Sequence, residues 1–257
     1  VSFTVARGFV LSMSGWNTAF VNPSTNDPLR ASRGSRAKER VSHVIFDMDG
    51  TLVDNLDLIV KSFNYAVAEF VGKEFSKIEM YARFGPTLEH LVEDAVPNKF
   101  RRTAVERYHE YYRKYFHKYA RVYRGITDLL NGLERAAIGV SVCTGSDRRM
   151  TQTTLEEAGL HHMFPVIVTA DDFKGQKPDP EGLYLAMKLA RVRVDETIYL
   201  GDSARDIEAS RNAGIASAAA LWGFENEATL RAQEPNYVFV NPFDALRQLT
   251  DDSIRIK

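Results

Sequence analysis

Six side chains that could share one chemistry sit just past short apolar runs or beside glycine and proline. Asp47 and Asp49 follow the run at 41–46, with Gly50 behind them. Thr144 follows the run at 138–143 and precedes Gly145. Lys177 stands before Pro178, and Asp202 and Asp206 follow the run at 197–200 in Gly201-Asp202-Ser203-Ala204-Arg205-Asp206. Carboxylates at the ends of buried strands are costly unless a cation offsets them. Oxygen donors of this kind suit a hard divalent cation, Mg²⁺ above all. A lysine, a hydroxyl and glycine-flanked amides add the donors that a phosphoryl group needs. Each fragment alone also reads as an ordinary turn, since Asp-Gly and Thr-Gly pairs are common loop chemistry. Only the ordered set is specific.

The elements that must carry these residues follow from periodicity. Apolar residues at 41–46, 138–143, 166–169, 197–200, 215–221 and 237–240 read as buried strands, and the segments at 126–136, 148–158, 180–190, 204–213 and 243–249 read as helices. Strands separated by helices of this length predict βαβ units and a parallel sheet. Ligands then gather at the carboxyl edge of that sheet, which is where all six side chains fall. The fold class is therefore α/β, a Rossmann-like three-layer αβα core.

Between the first strand and the rest, the pattern is helical. Leu56, Ile59, Val60, Phe63, Val67, Phe70 and Val71 recur at three and four, and Gly72 stops the run. Thr87 is placed to cap a helix beginning at Leu88, and Pro97-Asn98 ends it. Tyr108, Tyr111, Tyr112, Tyr115, Phe116, Tyr119 and Tyr123 then share one stripe of a long helix whose other face is basic. Basic residues among aromatics can stack nucleic acid, but gathering on one stripe is what a packed helix does, and packing is the reading adopted. The organisation is thus a flexible basic tail at 1–40, a core at 41–56 and 122–257, and an inserted all-helical cap at 57–121.

The chain has 257 residues with 33 basic and 34 acidic side chains, so net charge gives no bulk attraction to nucleic acid or anionic membrane. Its single cysteine, Cys143, forms no internal disulfide and reads as a small buried hydrophobe. No apolar run reaches the length of a membrane span. The expected location is cytoplasmic, with organellar targeting by the Arg- and Ser-rich tail left open.

The ordered set resembles the haloacid dehalogenase superfamily, with a helical cap inserted after the first motif as in its C1-type members. Asp-x-Asp-Gly-Thr stands here as Asp47 to Thr51, the strand ending in Thr or Ser as Thr144, the lysine before proline as Lys177, and Gly-Asp-x-x-x-Asp as Gly201 to Asp206. The resemblance implies a phosphoryl-transfer enzyme. Asp47 would attack phosphorus and Asp49 would move protons, its pKa raised by acidic neighbours. Mg²⁺ would rest on Asp47, the Asp49 carbonyl and Asp202. Lys177, Thr144 and the amides of Met48 and Gly145 would hold the phosphoryl oxygens, and Asp206 would orient Lys177 or a metal-bound water. Members that cleave carbon–halogen bonds lack an acid at the position of Asp49. Arg83 and Gly85, in Arg83-Phe84-Gly85-Pro86, match a cap-loop pattern that faces substrate.

With Leu221-Trp222-Gly223-Phe224, the set looks most like the phosphoglycolate-phosphatase-like group. The expected activity is hydrolysis of a small phosphomonoester such as a phosphoglycolate-like compound or a sugar phosphate. A phosphomutase of the β-phosphoglucomutase kind, an inorganic pyrophosphatase and a non-catalytic binding protein are the alternatives. The expected partner is a small phosphorylated metabolite, without nucleic acid or membrane, acting on a monomer or homodimer.

Overall fold

The computed structural model describes residues 40–85 and 87–251. The tail at 1–39, with the targeting and basic-arm readings that fall on it, lies outside the described residues.

Strand β1 (His43–Phe46) is shorter than its apolar run and entirely buried. Its side chains alternate between two clusters, as a strand's period of two requires. Val44 and Phe46 enter the larger one, while Ile45 joins Cys143, Tyr199 and Leu183 on the opposite face. Beyond it the chain forms β2 (Val53–Asp54), then helices α1 (Leu56–Val71), α2 (Lys77–Tyr81), α3 (Leu88–Ala95) and α4 (Arg101–Tyr119), then β3 (Arg121–Val122). The alternating part follows as α5 (Ile126–Arg135), β4 (Gly139–Cys143), α6 (Arg148–Glu157), β5 (Ile167–Val168), α7 (Glu181–Ala190), β6 (Thr197–Gly201), α8 (Ala204–Ala213), β7 (Ala216–Ala220), α9 (Glu227–Ala232), β8 (Tyr237–Phe239) and α10 (Pro242–Thr250).

Six strands form one sheet in the order β5-β4-β1-β6-β7-β8, and every pair is parallel. Helices α5 and α10 cover one face through Leu129, Leu133, Ala245 and Leu249. Helices α7 and α8 cover the other through Leu183, Ala186, Met187, Ala209 and Ala213. This is the α/β three-layer core. The chain leaves β1 toward β4 on one side and returns to β6 on the other, so β1 borders the switch point where such sheets bind ligands.

The helical insertion is fastened by a ribbon absent from the sequence reading. Val53 pairs with Val122 and Asp54 with Arg121, antiparallel. Strands of two residues carry no periodicity, so the sequence boundary at 121 cuts β3, and that at 57 falls within α1, beyond β2. In α1 the middle of the predicted stripe, Ile59, Val60, Phe63 and Val67, is buried, Val71 at its end is exposed, and Gly72 ends the helix in the left-handed region at φ 71°. Thr87 caps α3 by accepting the His90 amide. The long aromatic helix is a packed one. Tyr108, Tyr112 and Phe116 are buried, and Tyr111 and Tyr115 pack along its side with tilted rings, centroids 4.4 Å apart. Tyr123 falls outside it, because α4 stops at Tyr119 and the chain turns into β3. Helices α2 and α9, at five and six residues, were too short to show a period.

Candidate active site

Register brings the site together. Phe46 lies beside Val142 on β4 and Leu200 on β6, so the residues that follow these strands emerge on one edge. The Asp47 amide donates to the Leu200 carbonyl at 2.9 Å and the Thr144 amide to the Val168 carbonyl at 3.0 Å. These bonds extend the ladder one step and fix where each side chain leaves it. Asp47, Asp49, Thr144, Gly145, Ser146, Lys177, Asp202 and Asp206 all line one cavity of about 520 Å³.

Lys177 reaches this edge from the loop before α7. Its ammonium donates to Asp47 Oδ1 at 2.6 Å and Asp206 Oδ1 at 2.7 Å. Asp206 in turn accepts from Tyr199 Oη at 3.1 Å and from Ser203 Oγ at 2.6 Å. Burial works against the Asp206 carboxylate, but the lysine and the Ser203 donors outweigh it and hold its pKa below the usual carboxylate range. Burial likewise works against the Lys177 charge, and Asp206 and Asp47 overcome it, raising its pKa.

Asp202 is gripped on both oxygens. Thr51 Oγ1 donates to one at 3.1 Å and the Phe224 amide to the other at 2.6 Å. Gly50, at φ 83°, and Gly223 press on the same carboxyl, leaving no room for a Cβ at either position. That is the steric reason for glycine after Asp49 and after Trp222. Oxygens of Asp47, Asp202 and Asp206 lie within 4.8 Å of one another, all three residues buried. Burial pushes Asp47 up to about 7, and burial together with Asp47 and Asp206 pushes Asp202 well above its ordinary value. An all-oxygen donor set in which crowded, buried carboxyls raise one another fits a hard divalent cation.

Asp49 is separate from this cluster. Its Oδ1 accepts from Asn55 Nδ2 at 2.5 Å and its Oδ2 from Ser146 Oγ at 2.6 Å. Asn55 also donates to Tyr112 Oη at 2.8 Å, and that phenol meets Thr154 Oγ1 at 3.0 Å. A chain of hydrogen bonds thus runs from the core edge into α4 of the cap and on to α6. The Asp49 pKa is raised, as the sequence reading required, but for another reason. Burial raises it, while Ser146, Asn55 and Lys177 all act to lower it.

Met48 is fully buried beneath the turn, where its carbonyl accepts the amides of Leu52, Val53 and Thr51. Gly145 faces open space. Gly85 lines the cavity, but Arg83 does not. Its guanidinium donates to the Glu79 carbonyl at 2.6 Å and lies 4.7 Å over the Phe75 ring. The assignment of Arg83 to substrate contact is corrected accordingly: the guanidinium caps the end of α2. The arginine that does line the cavity beside that loop is Arg205, from the core, which donates to the Phe84 carbonyl at 2.5 Å.

Sequence reasoning missed Asn55, Ser146, Tyr199 and Arg205. Ser146 and Arg205 stand inside motifs that had been recognised, so proximity alone could have found them. Tyr199 looks like one more apolar strand residue, and Asn55 like the entry to a helix. Cys143 lies buried beneath the site, its thiol pushed up to about 12 by burial, as befits a hydrophobe rather than a nucleophile.

The profile of the haloacid dehalogenase-like hydrolases matches residues 44–220. Pyrophosphatase PpaX of Bacillus cereus strain B4264 is 29% identical over 212 residues, 82% of this chain and 98% of that protein. The Bacillus velezensis pyrophosphatase PpaX is 28% identical over 81% of this chain and 96% of its own length. Among solved structures, a predicted phosphoglycolate phosphatase from Haemophilus somnus superposes with a TM-score of 0.72 at 21% identity, covering 81% of this chain and 97% of that one. The likeness to that structure is one of fold.

Proposed function

Because the chain belongs to the haloacid dehalogenase-like hydrolases and is a phosphatase-type enzyme, we propose that it is a Mg²⁺-dependent hydrolase of a small phosphomonoester, acting through an aspartyl-phosphate. The observation that carries this reading is the division of labour at the sheet edge. Asp47 shares Lys177 with Asp206, whereas Asp49 is held apart by Ser146 and Asn55.

Asp47, the Asp49 carbonyl and Asp202 would hold the ion, with Asp206 close enough to take a share. When bound, Mg²⁺ supplies charge that offsets repulsion between the nucleophile and the phosphoryl oxygens. Asp47 Oδ attacks phosphorus as the bond to the leaving oxygen breaks. Lys177 and the Thr144 hydroxyl, with the amides of Met48 and Gly145, take the equatorial oxygens, where charge gathers in such transfers. Asp49, protonated through burial, gives its proton to the leaving oxygen and then takes one from the water that releases phosphate. Its surroundings accommodate both states. Ser146 Oγ can turn from donor to acceptor, and Asn55 Oδ1 is buried without a partner, so a half-turn of the amide presents an acceptor to protonated Asp49.

Tyr81, Phe84, Leu88 and Gly85 of the cap roof the cavity, and Phe224, Lys174 and Arg205 of the core border it. About 520 Å³ is ample for a small organic phosphate. Pyrophosphate is the second reading. It is supported by the relatives named pyrophosphatase and by Lys174 and Arg205, two cations on the cavity wall that could meet a second phosphate. Phosphate release from phosphoglycolate, sugar phosphates, pyrophosphate and an aryl phosphate, measured with Mg²⁺ beside Asp47→Asn, decides between them. Activity on no phosphate compound, or activity retained by the variant, would sink the proposal. Conversion of a sugar 1-phosphate to its 6-phosphate without free phosphate would make it a mutase.

A further inference from the structure

A second cluster of potential ligands lies apart from the cavity just described. Glu89 of α3, His109 of α4 and Asp147 at the start of α6 each place a ligand atom within 4.8 Å of the others. None of them lines the substrate cavity. His109 is 5% exposed and Asp147 3%. Buried this deeply, polar atoms ordinarily find partners. Yet His109 Nε2 and Asp147 Oδ2 have none. The other Asp147 oxygen is occupied, accepting the Met150 amide at 2.8 Å as the cap of α6. Arg149 is held by both oxygens of Glu106 at 2.8 and 2.7 Å. Two carboxylates thus lie beside a buried imidazole, with the Arg149 charge acting on them from its place against Glu106. Burial, reinforced by Arg149, lowers the His109 pKa to about 4, so the ring is neutral and able to donate a lone pair at neutral pH.

We propose that Glu89, His109 and Asp147 form a second metal site, selective for a Zn²⁺-class ion, which fastens cap helices α3 and α4 to the core at the start of α6. One imidazole and two carboxylates are a donor set that Zn²⁺ and its neighbours accept, with water completing the shell. Mg²⁺ prefers oxygen alone, so the two clusters divide the ions by chemistry. Glu89 is the half-buried member, so its longer side chain has the most freedom to adjust to an ion. The ion would also bear on the catalytic edge, because Ser146, which holds Asp49, is the residue before Asp147.

The full chain, kept in saturating Mg²⁺ so that the all-oxygen cluster is filled, is titrated with Zn²⁺ by calorimetry and with Co²⁺ by visible absorption. One further equivalent of Zn²⁺ is expected, with Co²⁺ bands in the visible. Backbone amides of α3 and at the start of α6 should exchange more slowly when it binds. Affinity should fall at least about tenfold in His109→Gln and in Glu89→Gln, as loss of a ligand requires. Glu89→Gln is the safeguard against misfolding, since that side chain is only half buried. Absence of a further equivalent, or unchanged affinity in both variants, overturns the site. A crystal grown with Zn²⁺ that shows only a water between His109 and Asp147 overturns it as well.

Discussion

The floor and the roof of the cavity are built by different rules. On the floor, polar side chains leave the end of a parallel strand, or a loop beside one, and three of the aspartates are each pinned by at least two partners. Asp202 has Thr51 and Phe224, Asp206 has Lys177, Tyr199 and Ser203, and Asp49 has Asn55 and Ser146. The roof comes from a short helix, a turn and the start of α3, and offers mainly Tyr81, Phe84 and Leu88. Its rings touch one another, Tyr81 meeting Phe84 at 5.3 Å, and Tyr81 also reaches Phe224 of the core at 6.4 Å. On the proposed reading, chemistry that must be placed closely would fall to the strand ends, and selection of the organic part of the substrate to the rings of the roof.

Substitutions should separate the two. Asp47→Asn is the severest, lowering kcat by at least about 10⁴-fold with little change in melting temperature, because a nucleophile has no substitute. A milder loss would mean that the floor does not form the covalent intermediate, and trapping with a phosphate analogue would check it. Asp49→Asn should lower kcat by about 10²–10⁴-fold, the usual worth of a proton-transfer group. It should also abolish the alkaline fall in activity, read from kcat against pH.

Phe84→Ala acts on the roof. An increase of about tenfold in KM, different for each substrate and with kcat nearly kept, is expected from lost apolar contact. A uniform fall in kcat would show that the roof also positions the chemistry. The floor should be sensitive to Mg²⁺. In the metal-free chain burial raises Asp47 from 3.8 to about 7, and raises Asp202 also. A carboxyl with a raised folded-state pKa contributes stability that is complete below its unfolded value of 3.8 and is lost as pH rises through about 7. Mg²⁺ replaces those protons. It should therefore stabilise the chain by about 3 kcal/mol at pH 8 at a hundredfold excess over Kd, and by less at pH 5. Thermal melts with Mg²⁺ and with a chelator measure the difference, and an equal gain at both pH values would sever the link. Smallest of all is Arg83→Ala, with KM within about twofold and stability within about 1 kcal/mol, as for a surface residue. A tenfold rise in KM there would restore the arginine to the roof.

The same division explains what the sequence disclosed. Asp47, Thr144, Lys177, Asp202 and Asp206 could be gathered on one edge because a parallel sheet sends every strand end to the same side, and apolar runs mark strand ends well. The three-layer core followed from the same runs. Arg83 shows where that logic fails. A cap-loop pattern fixes a position in the chain but not the direction of a long side chain, and a helix end plus the Phe75 ring captured this one. Asp49 shows a subtler limit. Its raised pKa was foreseen, yet attributed to charge, since depth of burial depends on packing between segments far apart in the chain. Asn55 and Tyr112 were hidden for that reason too, because their contact spans the cap and the first strand's turn.

The ribbon of β2 and β3 carries a further consequence. The chain departs for the cap and comes back through two paired strands, Val53 opposite Val122 and Asp54 opposite Arg121. Paired positions in an antiparallel ladder stand about 5 Å apart, so some seventy intervening residues hang from a doorway the width of one strand pair. Such a doorway accepts a cassette. A different helical insert could be joined at the same two points without disturbing the aspartates below, provided it offers a matching partner for Asn55 and for the face of α6. One catalytic layer could in this way acquire new substrates by exchanging its ceiling, with the Arg121–Asp54 ion pair, at 2.7 Å, as the clasp that each replacement inherits.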